Sequence, residues 1–210
     1  MNAPLDAAVA PCVLTRMEHG VCRLTLNRGD RYNPLSREMV AALQSEVARI
    51  GADPTIRCVV LAAEGKGFCA GHDLKELRAH PDLAWQQELF SACNALMVSL
   101  TALPQPVIAR VHGIATAAGC QLVSMCDLAV AADTARFALP GVNVGVFCTT
   151  PAVGVARNVA RKRAFYRQIE LGLAQAYEFA GGVMACSLLD ADAHEGIDAF
   201  VEKRAPKWGD

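Results

Sequence analysis

The sequence predicts an α/β protein, an ordered core of strands and helices followed by a mainly helical C-terminal third. Three observations carry this. Short apolar runs of strand length alternate with longer segments of helical spacing, Gly and Pro punctuate the boundaries between them, and residues 152 to 203 show helical pattern with Gly181-Gly182 as the clearest break. The order reads strand, helix, strand, loop, helix, strand, helix, strand, then helices. With 210 residues, 53% hydrophobic and 20% charged, the chain can bury one sizeable core.

Taken in order, a short N-terminal tail precedes Val21–Leu26, where apolar residues alternate with Cys, Arg and Thr at the period of a strand, and Asn27-Arg28-Gly29-Asp30 forms the turn that ends it. Ser36 has the side chain of a helix N-cap. Behind it Met39, Val40, Leu43, Val47 and Ile50 recur at helical spacing until Gly51 stops the helix. Cys58–Ala63 is a buried strand entering a Gly-rich loop, residues 64–71. Leu83–Leu103 is a helix terminated by Pro104 and Pro106, and Val107–Val111 is a further strand. Small residues crowd Ala115–Gly119, Gln121–Met125 is a helix, and Asp127–Ala132 is one more strand. No internal repeat or low-complexity tract interrupts the chain.

Charge and composition exclude several classes. A net charge of −1 leaves no basic excess for a phosphate backbone, so nucleic acid is not the expected partner. The longest uncharged stretch, between Arg110 and Asp127, is shorter than the roughly 18–20 apolar residues of a membrane span. Nine cysteines without a CxxC pair fit reduced thiols in a core and offer no metal-ligand spacing. The first residues, MNAPLDAAVAPCV, lack the composition of a signal or transit peptide, from which a cytoplasmic location is expected.

Three segments, Asn27–Leu35 (NRGDRYNPL), Phe68–Leu77 (FCAGHDLKEL) and Val107–Asp127, resemble the crotonase superfamily of enoyl-CoA hydratases and isomerases. A fourth, Asp192–Trp208, resembles that family's C-terminal helix. Within the family the loops look like the enoyl-CoA hydratase domain-containing subgroup, which lacks the catalytic glutamate pair. The resemblance implies a ββα spiral core over residues 1–160 and a C-terminal helical segment over 161–210. The chain passes from Arg161 directly into sequence resembling a later part of the family, so the connection between core and C-terminal helices is expected to be shortened.

The resemblance also implies a chemistry. The backbone amides of His72 and Ala118 are the two donors of an oxyanion hole for a thioester oxygen, and Gly71 allows the close approach. Arg31, Ala70, Gly71, His72, Asp73, Leu74, Lys75, Ala118, Gly119 and Lys203 are the implied CoA-binding positions. No separate cofactor is implied, CoA being part of the substrate, and a homotrimer or hexamer is the implied assembly. The positions of the acidic pair that a hydratase needs carry Gln121 and Gly141. Glutamine is no general base near neutral pH and glycine has no side chain, while a positioned acid or base supplies roughly 10²–10⁴ in rate.

Efficient hydration by the usual route is therefore not expected. An acyl-CoA protein with other acid/base residues (an isomerase or a hydrolase) and a non-catalytic acyl-CoA binder or regulatory homologue both fit the residues. Asp73 is read as shaping the loop, Asp127 as a structural hydrogen-bonding residue, the His72 imidazole as pointing at solvent or a ligand phosphate, and Cys69, Cys120 and Cys148 as small buried hydrophobes.

Overall fold

The computed structural model describes residues 10–141, 145 and 148–158, together with positions 195, 202, 204 and 207. The chain divides into two compact units, Met1–Val155 and Ala156–Asp210.

The first unit is built on a five-stranded sheet. Strand β1 (Val13–Glu18) occupies residues expected to lie in the N-terminal tail, and pairs antiparallel with β2 (Val21–Leu26). His19 and Gly20 between them have φ of +50° and +79°, the left-handed pair of a two-residue hairpin, whose twist matches that of the strands. The strand escapes an alternation reading because most of its residues are exposed.

Helix α1 (Arg37–Gly51) then crosses to β3 (Cys58–Ala63). The Ser36 hydroxyl accepts from the Met39 amide at 3.2 Å, and the five apolar residues read as its inner face are all buried. Helices α2 (Leu74–Ala79) and α3 (Leu83–Ala102) lead to β4 (Val107–Val111), followed by β5 (Ile114–Thr116), α4 (Ala118–Ser124), β6 (Leu128–Ala131), β7 (Arg136–Ala138) and α5 (Thr149–Asn158). The sheet order is β1-β2-β3-β4-β6, parallel from β2 onward, and β5 pairs with β7 in a separate two-stranded sheet. Leu24, Leu26, Leu61 and Ala109 of the sheet share one core with Met39, Ile50, Leu96 and Leu100 of α1 and α3.

Helix α4 begins three residues before the expected Gln121, because Ala118 and Gly119 extend it toward the preceding loop. Asp127 closes the core as expected of a structural residue: its carboxylate accepts from the Val107 amide at 2.7 Å, and its own amide donates to the Val107 carbonyl. In a parallel sheet the loops leaving the carboxyl ends of the strands gather at one edge, and here that places the loops after β2 and β3 beside β5 and the start of α4.

In the second unit, Arg204 binds the carboxylates of Glu195 and Glu202. The Arg204 guanidinium, and after it the Lys207 amide, bring the Glu195 carboxyl down to about 2.

Candidate active site

The loop after β2 is held by one residue that the sequence did not single out. Asn33 is fully buried at a φ of +50°, a conformation that asparagine tolerates better than most side chains. Its amide donates to the carbonyls of Glu64, Gly67 and Phe68 at 2.9, 3.1 and 3.1 Å, while its oxygen accepts from the Arg28 amide at 2.8 Å. One side chain thus ties the first loop to the second. The backbone completes the seam, with Leu35 N–H donating to Gly71 at 2.7 Å and Ala70 N–H to Tyr32 at 2.9 Å. An asparagine directly before proline was the available signal, but nothing local reveals partners more than thirty residues away.

The second loop is laid in turn on the third segment. Phe68 and Cys69 amides donate to the Ile114 carbonyl, and Thr116 N–H returns a bond to Cys69 at 2.9 Å. Glycine is obligatory at two points of this contact. A Cβ on Gly119 would stand 2.1 Å from the Cys69 carbonyl oxygen. Gly71 has a φ of +94°, and a Cβ there would lie 2.9 Å from the Ala117 methyl and 3.2 Å from the Ala118 nitrogen. The backbone of the second loop is therefore in direct contact with the first residue of α4.

Ala117, the cap residue of α4, takes φ +50° and ψ −122°, a strained conformation for alanine, fixed by its amide bond to the Ala138 carbonyl of β7. Among the described residues, neither the His72 nor the Ala118 backbone N–H meets an acceptor. Ala118 opens a helix, where the first amides have no partner within the helix.

These residues wall a cavity of about 620 Å³. Among the described residues it is lined by Ala70, His72, Leu74, Leu77, Phe90 of α3, Ala117, Ala118, Pro140, Gly141 and residues 148–151. Its lining is overwhelmingly apolar. Gly141, at the position of the second missing acid, leaves that part of the wall without a side chain. Gln121, at the position of the first, is not among the lining residues: it is buried, and its Oε1 has no hydrogen-bond partner.

The imidazole of His72 corrects an expectation. It does not point at solvent: Nδ1 lies 3.1 Å from the Leu35 carbonyl oxygen, the ring meets Phe90 edge-on at 5.0 Å, and Nε2 is shielded from water without a partner. Burial, opposed by the Leu35 bond and by Glu76, holds its pKa below the ordinary histidine value. A neutral ring donating from Nδ1 to Leu35 accounts for the geometry, because the apolar wall disfavours the charged form.

Asp73 does not line the cavity. One of its carboxylate oxygens caps α2 by accepting from the Lys75 and Glu76 amides at 3.0 and 3.3 Å, and the other faces the Arg31 guanidinium at 3.6 Å. Arg31 is thereby engaged within the loop, whereas the exposed Leu74 reaches the cavity and Lys75 lies on the surface. Lys203 and the 192–208 segment assigned to a C-terminal helix lie outside the described residues, apart from isolated positions. Cys69 and Cys120 are buried as expected, and burial pushes Cys69 to about 12. Cys148 departs from that reading: it is half-buried and lines the cavity. No group of three or more metal-ligating side chains occurs among the described residues.

Fold and site together define a protein of the crotonase class, an α/β spiral in which two loops and a helix start meet at an apolar cavity. The family description enoyl-CoA hydratase/isomerase matches residues 16–166. Enoyl-CoA hydratase domain-containing protein 3, mitochondrial, of Xenopus laevis is 36% identical over 263 positions, covering 99% of this chain and 90% of that protein. A solved structure of enoyl-CoA hydratase from Mycobacterium smegmatis superposes with a TM-score of 0.70 at 44% identity, over 94% of this chain and 99% of the other. The crystal structure of human enoyl coenzyme A hydratase domain-containing protein 3 gives 0.69 at 33% identity, over 94% and 100%. The chain belongs to the enoyl-CoA hydratase/isomerase family.

Two expectations are settled by these comparisons. The frog alignment runs over 263 positions although 99% of this chain is only about 208 residues, so about 55 positions have no counterpart here, in line with an internal shortening. The cytoplasmic expectation is overturned. The frog, rat, mouse, zebrafish and human relatives are all named mitochondrial, against that expectation. Among the described residues no helix is long and apolar enough to cross a membrane.

Proposed function

We propose that this chain binds acyl-CoA thioesters with the carbonyl oxygen on the His72 and Ala118 amides, and that it does not hydrate enoyl esters efficiently. The observation that carries the reading is the pair of backbone N–H groups without internal acceptors, on loops pressed together at Gly71, at the wall of an apolar cavity. A thioester oxygen gains negative charge in an enolate or a tetrahedral adduct, and pre-aimed amides in a water-poor site stabilise that charge without reorganising. The apolar wall formed by Leu74, Leu77 and Phe90 suits an acyl chain. Removing one such donor costs about 10²–10³ in rate in enzymes that use it.

The same cavity argues against hydration. Among the described residues its lining supplies no carboxylate, since Gly141 has no side chain and Gln121 lies outside the wall. Isothermal calorimetry with butyryl-CoA tests binding, and crotonyl-CoA with mass-spectrometric product analysis tests turnover. Binding without 3-hydroxybutyryl-CoA is the expected outcome; no heat with any acyl-CoA ester, or a turnover typical of hydratases, refutes the reading. Gly141→Glu places a carboxyl on the cavity wall and is expected to introduce measurable hydration, at least about 10²-fold above the unaltered chain, whereas Gln121→Glu, off that wall, is expected to add none.

Family resemblance further supports assembly as a homotrimer or hexamer, which light scattering on the eluting protein decides.

A further inference from the structure

The two edges of the five-stranded sheet are finished differently. At one, β1 is exposed along most of its length and carries charge: Arg16 faces Glu18 at 3.9 Å, and the Thr15 hydroxyl donates to Glu46 of α1 at 2.8 Å. At the other edge β6 pairs with β4 alone, and among the described residues no strand lies on its outer side. Its sequence is Leu-Ala-Val-Ala, and all four residues are exposed, Leu128 at 61% and Val130 at 64%. The exposure runs through residues 127–134. An open edge presents free N–H and C=O groups that template another strand, and proteins ordinarily blunt it with charge, proline or a cover. Strand β6 has neither charge nor proline.

We propose that two copies of this chain pair antiparallel through β6 across a two-fold axis, joining their five-stranded sheets into one. The flanking charges select both the occupant and the register. A strand laid on β6 must offer apolar side chains to Leu128 and Val130, which share one face of the sheet, and must keep carboxylates away from Asp127 and Asp133. A second β6 meets both conditions when the axis passes at Ala129. Leu128 of each copy then stands opposite Val130 of the other, Asp127 stands opposite Ala131, and Asp133 lies beyond the paired strands. Moving the axis to Val130 would set Asp127 against Asp133, a like-charge pair that opposes association. The opposite edge cannot serve in the same way, because the charged side chains of β1 blunt it. A two-fold contact makes the assembly even-numbered: a dimer if β6 is the sole contact between copies, a hexamer if it joins two trimers. The contact is independent of what the cavity binds.

Light scattering on the full chain eluting from a sizing column tests this. The unaltered chain is expected to show an even multiple of the monomer mass. Val130→Lys, verified as folded by its circular-dichroism spectrum, is expected to halve that mass, and Leu128→Glu to halve it as well. Val98→Lys, a change at an equally exposed valine on α3, leaves it as it was. The double variant Leu128→Glu with Val130→Lys sets opposite charges across the two-fold and is expected to return to the mass of the unaltered chain. A monomer or a trimer for the unaltered chain overturns the proposal. An unchanged mass in Val130→Lys, an equal loss in Val98→Lys, or a double variant that stays at half mass overturns it too.

Discussion

Replacing Gly71 by alanine tests whether the two loops meet as described, and the structure supplies the magnitude. An alanine at φ +94° adopts a conformation that costs of order 1–3 kcal/mol for a residue with a Cβ. The new methyl would stand 2.9 Å from the Ala117 Cβ, well inside the roughly 3.5–4.0 Å of an optimal carbon–carbon contact. Overpacking of that kind costs a further ~1–3 kcal/mol.

The single variant should therefore lose about 2–6 kcal/mol. Ala117→Gly removes the opposing methyl and relieves the positive φ of that residue, at an entropic cost of about 0.4–1 kcal/mol through the unfolded chain. In the double variant the methyl clash is gone while the strain at position 71 remains. The destabilisation by Gly71→Ala should then fall by about 1–2 kcal/mol, a coupling measured by urea unfolding of the four proteins in a double-mutant cycle. Additivity within about 0.5 kcal/mol would mean that residues 71 and 117 do not touch, and the argument for two converging amides would fail with it.

Asn33→Ala should cost about 3 kcal/mol or more in urea unfolding, because four backbone groups lose a partner at once, three of them carbonyls of the second loop; a loss under 1 kcal/mol would show that the loop is held otherwise. For His72 the folded pKa is depressed, chiefly by burial, so the unfolded chain takes up a proton near pH 6.5 before the folded chain does. Stability from this residue is intact above that pH and is lost as pH falls below it. Unfolding measured between pH 8 and 5 should show this loss in the unaltered chain and lack it in His72→Gln, and parallel profiles would refute a buried neutral imidazole. Gln121→Met removes a buried oxygen without a partner and should raise stability by about 1 kcal/mol, whereas a loss above 1 kcal/mol would show that the amide makes a stabilising contact.

How much of this was legible beforehand can be followed residue by residue. The limits of β2, β3 and β4, the buried face of α1 and the cap at Ser36 followed from periodicity and local chemistry, because those depend on neighbours a few residues apart. Strand β1 and the short elements α2, β5 and β7 did not, since each is brief and defined by what it pairs with. At the site, the resemblance supplied His72, Ala118 and the substituted acids at Gln121 and Gly141. It left Asn33 unnamed, and beside it the His72 ring was read as facing solvent or a ligand phosphate.

The sequence by itself determined the family, the alternation of strands and helices, and the absence of carboxylates at two positions, since these are properties of residue type and order. Only the tertiary structure decided that Gly119 must lack a side chain, that Asp73 is spent on a cap and an ion pair, and that Cys148 reaches the cavity. Each of those depends on contacts between segments tens of residues apart, where a few tenths of an ångström separate a permitted neighbour from a clash.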